Sequence, residues 1–451
     1  MALIAPFRGL RYNPAAIERM EDVVTPPYDI IDHKSQADLL AKNPYNMIQL
    51  DLSKSVTPEA LTDERYLQAR NLLDQWQDDS VLIRDQVPAI YLYNIEYTHP
   101  SGRRLTRKGL VCLVQLAEFS EGIVKPHEKT FKGVITDRVR LLDACRTQFS
   151  KVFSLYPDQE GAVMAAMEAS CPEEPLCSAL DQDGCRHTIW AVTDPAVLAR
   201  VAELFAEKSV YIADGHHRYT TALQFREMMR KQGSFAEDSP ANYIMMYLCP
   251  MEDPGLSVLP THRLVRIADG VGSAALVKSL SVSFDLEEIA HGSREVLLAE
   301  VLGRMEEVGG DIPSFGLYHA GEDRCFLMTM KKGAMDDERF ASIAPSLRAL
   351  DVVVLSDLVI GSLLNLDHQK CEEDGLVEYF SDPDEALDAA VKEEADSHAN
   401  PVIFLMNHTP VAQVKIVADE KLVMPHKSTY FYPKILTGLL LNKLVDGEKV
   451  G

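Results

Sequence analysis

The chain lacks most of the signatures by which an enzyme class is read. It holds no Walker sequence, no GxGxxG, no HExxH, no GxSxG and no internal repeat. A P-loop, a dinucleotide-binding turn, a zinc peptidase and a hydrolase nucleophile elbow are therefore without support. Basic residues are scarce: 45 Lys and Arg stand against 68 Asp and Glu, a net charge of −23. That balance disfavours general binding to nucleic acid or to an anionic membrane. No stretch approaches the roughly 18 apolar residues of a membrane span, and the first residues lack the charged and apolar regions of a secretory signal. Eight cysteines form no CxxC pair and no zinc-ribbon spacing. Cys171, Cys177 and Cys185 cluster without a fourth ligand nearby, so reduced thiols and a cytoplasmic protein are expected.

What is present is an ordinary globular composition, 46% hydrophobic and 25% charged over 451 residues, enough for two or three domains. The pattern predicts an α+β (mixed α/β) protein: an N-terminal segment over 1–85, a core over 86–265 with a polar, irregular insertion near 157–187, and a C-terminal α/β domain over 266–451. Tyr66, Ala69, Leu72, Leu73 and Trp76 give one face of a helix near 64–77. Two strand-like runs, 89–97 and 109–116, flank the turn at 99–102 and predict a hairpin. Strands are expected at 152–156 and 188–192. Asp194 and Pro195 then start a helix whose apolar face is Val197, Val201, Leu204 and Phe205. Further on the spacing predicts a helix over 294–308, strands at 315–318, 325–330 and 402–405, and a helix from Pro383. The apolar run 351–360 fits more than one element type.

Four stretches carry residue types suited to chemistry. Val210 to Ala213 reads as a strand that runs into Asp214-Gly215-His216-His217-Arg218 and then an amphipathic helix. Gly215 permits close approach or a positive φ. A helix N-terminus favours an anion, and two imidazoles with a guanidinium add donors for phosphate. The competing reading is a buried turn whose histidines only cap the helix. Lys125-Pro126-His127-Glu128-Lys129-Thr130 sets a carboxylate, an imidazole and a hydroxyl between lysines, a pattern that suits either a base or a solvated loop. Leu259-Pro260-Thr261-His262-Arg263 reads as a loop presenting a second imidazole and guanidinium. Near the end, Lys427, Ser428, Thr429 and Lys434 lie in a Pro-bounded loop with phosphate-binding side chains, while Tyr430, Phe431 and Tyr432 suit a strand that closes a core.

Together with Phe7-Arg8-Gly9 and Val24-Thr25-Pro26-Pro27-Tyr28-Asp29, these motifs resemble the DUF1015 family from one end of the chain to the other. The order of the 125–128, 214–218 and 425–429 motifs is also similar, more distantly, to that of archaeal free-serine kinases of the ParB/sulfiredoxin-like superfamily. That resemblance implies a ParB/sulfiredoxin-like catalytic core to which the C-terminal domain returns its 425–434 motif. It implies phosphoryl transfer from ATP or ADP, with Mg²⁺, to free L-serine. Glu128 would be the general base, with His216 and His217 beside it in catalysis. Asp214, Gly215, His216, His217, Arg218, Lys427, Ser428 and Thr429 would hold the nucleotide, and Asp214 the metal. His127, Thr130, His262 and Arg263 would contact the substrate. The alternatives are a kinase for another hydroxyl acceptor and a nucleotide- or metabolite-binding regulator without turnover. Residues 157–187 have no counterpart in that resemblance.

Overall fold

A computed structural model describes residues 1–52, 64–233, 236–267, 271–290, 292–310, 312–367, 371, 374–397 and 400–450. It is a mixed α/β protein of two compact units. The first comprises Met1–Pro126, Thr130–Ser257 and Pro433–Gly451, and the second His127–Lys129 and Val258–Tyr432.

The first unit is built on a nine-stranded mixed sheet. Its strands in chain order are β1 (Ile4–Ala5), β2 (Ile90–Thr98), β3 (Arg104–Gln115), β4 (Val124–Lys125), β5 (Val152–Tyr156), β6 (Cys177–Leu180), β7 (Arg186–Val192), β8 (Val210–Asp214) and β9 (Tyr243–Pro250). They lie in the order β4-β8-β5-β9-β3-β2-β7-β6, with β1 paired to β3. The expected hairpin is present as β2 and β3, in a register that sets Tyr93 opposite Gly109. A Cβ at Gly109 would fall 2.5 Å from the ring of Tyr247 and 2.7 Å from the Leu248 carbonyl, so only glycine lets β9 close against β3 there.

Two large apolar clusters, with a smaller one around Phe225, fill this unit. One joins Ile90, Leu92, Val152, Ile212, Tyr219 and Met246 about the sheet. The other gathers Tyr12, Leu73, Trp76 and Leu441 under the helix α1 (Glu64–Asp78). Helices α2 (Lys132–Cys145), α3 (Ala162–Glu168), α4 (Pro195–Phe205) and α5 (His216–Gln232) also belong to it. Asp194 caps α4 through Ala196 N–H, with Pro195 in the first turn, as its sequence predicts.

The 157–187 stretch is more regular than its composition suggests. Val163 and Met167 of α3 are fully buried, and β6 pairs antiparallel with β7. Each element is only a turn or two of helix or one short strand, too brief for a periodicity to emerge from polar surroundings.

The second unit carries a six-stranded sheet, antiparallel at every pairing. Its strands are β10 (His262–Ile267), β11 (Phe284–Ile289), β12 (Ser314–His319), β13 (Arg324–Met330), β14 (Val377–Phe380) and β15 (Asn400–Leu405). The run whose type the sequence leaves open is a helical turn followed by a π-helix, Val354–Leu363. Its residues Val354, Leu355, Leu358 and Val359 are wholly buried. A wide helix buried on most sides shows neither a period of 3.6 nor of 2.

Candidate functional site

The strand β8 is buried through Ala213 and ends at the half-buried Asp214. It runs parallel to β4 and antiparallel to β5, with a bulge between Ile212 and Asp214. Gly215 follows at φ +95° and serves as N-cap of the seventeen-residue α5. A Cβ at this position would meet Arg218 Nε at 2.9 Å, so the turn needs glycine for its φ and for the guanidinium folded over it.

Arg218 is buried and committed to its own unit. It donates to the carbonyl of Lys151 and, at 3.2 Å, to Asp214 Oδ2, and lies 3.7 Å from Asp29 Oδ2. Burial works against its charge, but the carboxylates of Asp214 and Asp29 overcome that and hold its pKa above the usual value. Lys434 Nζ stands 3.7 Å from the same Asp214 oxygen. The two histidines diverge along the helix. His216 is 2% exposed, whereas His217 is half-buried, its Nε2 accepting Phe131 N–H at 3.0 Å and its ring stacked on that of Phe131 at 5.7 Å. With Nε2 an acceptor, the neutral His217 ring carries its proton on Nδ1. Thr130 is half-buried directly before Phe131.

Lys151, which the sequence did not single out, is 1% exposed. Its ammonium donates to the carbonyls of Leu436 (3.3 Å) and Leu440 (3.2 Å). Burial, with Arg218 nearby, lowers its pKa to about 7, against a smaller opposing influence of Cys177. The available signal was a lysine heading a strand that is otherwise apolar, Val152 to Tyr156, apart from Ser154. In the N-terminal segment Arg8 pairs with Glu448 at 2.7 Å and Arg11 with Asp85 at 2.9 Å.

Within the second unit the remaining candidates gather around the 424–429 loop. His127 is fully buried; its Nε2 is 3.2 Å from Thr429 Oγ1, and its carbonyl accepts Met424 N–H at 2.8 Å. Glu128 Oε1 accepts Lys427 N–H at 3.2 Å. Lys427 adopts φ +54°, and its carbonyl accepts from Arg263 Nη2 at 3.2 Å. Ser428 is 3% exposed and donates to the Pro425 carbonyl at 2.6 Å.

His262 and Arg263 are not in a loop, as the sequence suggested, but begin β10. The polar pair masks the alternation that Leu264, Val265 and Ile267 would otherwise announce. His262 turns away from the loop, its Nδ1 accepting Met406 N–H at 3.0 Å, and burial lowers its pKa to about 4. Arg263 lies over the Tyr379 ring at 5.5 Å, and burial pulls its pKa down to about 10.

Glu128, Lys427, Ser428, Thr429, His127 and Arg263 thus form one group in the second unit. Asp214, Gly215, His216, His217 and Arg218 form another in the first. Among the described residues no three His, Cys, Asp or Glu side chains are arranged to hold a metal ion, and no helix is long and apolar enough to cross a membrane.

Curated proteins return no match to the chain. Among solved structures, a free serine kinase variant in complex with AMP is similar at 13% identity and a TM-score of 0.34, over 72% of this chain and 91% of that one. A conserved hypothetical protein from Pyrococcus furiosus is similar at 13% identity and 0.32, over 72% and 94%. SbnI from Staphylococcus aureus, truncated at its C-terminus, is similar at 10% identity and 0.33, over 75% and 90%. These likenesses are distant. A family model, by contrast, matches residues 4–353, which take in the 125–130, 214–218 and 259–263 motifs but not the 424–434 loop, and the chain belongs to that family, DUF1015, of proteins of unknown function.

Proposed function

We propose that the protein is a small-molecule kinase that moves a phosphoryl group from ATP or ADP to the hydroxyl of free L-serine, giving O-phosphoserine. One observation carries the reading: the long helix α5 opens on a left-handed glycine that has no side chain to offer its first N–H groups. Such a terminus presents donors and partial positive charge to a phosphate, and Lys434 beside Asp214 adds a cation. Phosphoryl transfer asks chiefly for positioning and charge stabilisation. His216 and His217 follow the glycine, and Lys427, Ser428 and Thr429 supply further donors of the kind phosphates use. Mg²⁺ is commonly held by one or two carboxylates together with substrate phosphates, so the Asp214 carboxylate at this turn fits the ion.

In this reading Glu128, held by Lys427 N–H, takes the hydroxyl proton as the serine oxygen bonds to phosphorus. The bond from phosphorus to the departing ADP, or AMP when ADP is the donor, breaks in the same displacement. Serine as the acceptor rests on the motif resemblance rather than on the geometry.

Phosphorus NMR with Mg²⁺, L-serine and either nucleotide tests the proposal. The expected result is a phosphomonoester resonance matching O-phosphoserine. Glu128→Gln should lower kcat by about 10²–10⁴-fold, the usual contribution of a general base, with nucleotide affinity unchanged. Near wild-type turnover in that variant would remove Glu128 from the chemistry. No phosphoserine with either donor would remove serine as the acceptor. One observation favours the regulator instead: the Arg218 fork is engaged by Asp214, Asp29 and the Lys151 carbonyl. Tight nucleotide binding without product from any acceptor would identify that case.

A further inference from the structure

The first unit contains a cavity of about 60 Å³ whose polar lining includes Tyr28, Asp51, Arg138, Ser150, Arg218 and Thr221. Leu141, Leu142, Ala222 and Ile244 supply an apolar wall. At roughly 15 Å³ per water on this measure, there is room for about four waters or for a small organic acid.

Most of the polar lining is satisfied internally. Arg138 donates to Asp51 Oδ1 at 3.0 Å and to the Asp51 carbonyl at 2.9 Å, and pairs with Asp137 at 2.5 Å. Ser150 Oγ donates to Asp51 Oδ2 at 3.3 Å and lies 2.9 Å from Thr437 Oγ1. Three atoms of it are not. Arg218 Nε, Thr221 Oγ1 and Tyr28 Oη are buried atoms with no hydrogen-bond partner, and Arg218 and Thr221 are only 9% and 5% exposed. Buried polar atoms without partners are uncommon in a folded protein, and three on one cavity point to an occupant.

The three share a character. Each can donate, so the occupant brings acceptor atoms, and Arg218, already facing Asp214 and Asp29, leaves room for at most a single negative charge. The apolar wall leaves a place for a short aliphatic part, which inorganic phosphate does not have. Asp51, buried in the same lining, disfavours a dianion and can accept from a second polar group of the ligand. We propose that this cavity binds a small aliphatic α-amino or α-hydroxy acid, its carboxylate on Arg218 Nε, Tyr28 Oη and Thr221 Oγ1 and its amino or hydroxyl group toward Asp51. The site does not depend on phosphoryl transfer, since the acid binds without nucleotide.

Calorimetric titration of the full chain, without nucleotide or Mg²⁺, tests this with L-alanine, L-serine, L-lactate and inorganic phosphate as the probes. At least one of the three acids is expected to saturate. Thr221→Val and Tyr28→Phe should each weaken it about 10-fold or more, as befits a lost hydrogen bond to a charged group. Both substitutions remove only an unpartnered hydroxyl, so near-UV circular dichroism should remain native. Preference for L-alanine over L-lactate would place an ammonium at Asp51, and the reverse a hydroxyl. The proposal is overturned if no acid saturates, if phosphate binds in their place, or if both variants bind the acid as the wild type does.

Discussion

Lys151 ties the 214–218 turn to the interior by two routes, its backbone carbonyl accepting from Arg218 and its side chain reaching the carbonyls of Leu436 and Leu440. An ammonium buried against neutral carbonyls and the Tyr93 ring, with no carboxylate paired to it among the described residues, keeps its proton poorly, which is why its pKa falls to about 7. The sign of the linkage follows. Unfolded lysine titrates near pH 10.4, so between about pH 7 and pH 10 the unfolded chain holds a proton that the native state lacks. The penalty for this lysine is greatest below pH 7 and fades as pH rises. Relative to Lys151→Met, the wild type should therefore gain about 2.5 kcal/mol of stability between about pH 7.5 and pH 9.5, from a limiting slope of about 1.4 kcal/mol per pH unit. Urea unfolding of both proteins at the two pH values reads this difference; parallel changes would mean that Lys151 stays protonated.

The returning segment 433–451 shows at the level of elements how much of the fold is long-range. It pairs Asn442–Lys443 with Thr147–Gln148, bridges Leu10 and Thr25, and receives Arg107 Nη2 on the Pro433 carbonyl at 2.7 Å. Leu439, Leu440 and Leu441 are fully buried. At about 1.5–3 kcal/mol per buried leucine, these three account for roughly 5–9 kcal/mol, comparable with the about 5–15 kcal/mol that holds a domain together. A chain ending at Tyr432 should lose its near-UV dichroism and be cut rapidly by protease within 1–126; native dichroism would show the segment to be dispensable.

Local elements were legible because their rules are local. The β2–β3 hairpin, the Asp194-capped α4 and the strand, glycine and helix at 210–218 each announce themselves within about ten residues. The transfer of 127–129 to the second unit and the return of 433–451 to the first have no local signal. The partner strands lie hundreds of residues away, and the buried Lys151 and Arg107 give no hint of the carbonyls they meet. For the candidate site, the sequence identified the residue types at 128, 214–218 and 427–429. It did not reveal that Arg218 would be held by Asp29, nor that His262 would face Met406 on a strand.

Under the proposed kinase reading, the charge of the whole molecule governs how a nucleotide approaches it. Around the turn the charges nearly cancel: Arg218 is matched by Asp214 and Asp29, Lys434 shares Asp214, and Lys151 titrates at about 7. With little local excess to steer an anion, the distant field comes from the net −23 of the chain and repels a nucleoside triphosphate. Salt screens that repulsion over a length that shrinks from about 30 Å at 0.01 M to about 8 Å at 0.15 M. The association rate of ATP should therefore rise with ionic strength over that range, on the order of two-fold, the opposite of the behaviour of a basic nucleic-acid binder. Stopped-flow fluorescence with a labelled nucleotide measures it. A rate that falls steeply with salt would mean that the cations at the turn outweigh the rest of the chain, and that Asp214 and Asp29 do not neutralise Arg218 in solution.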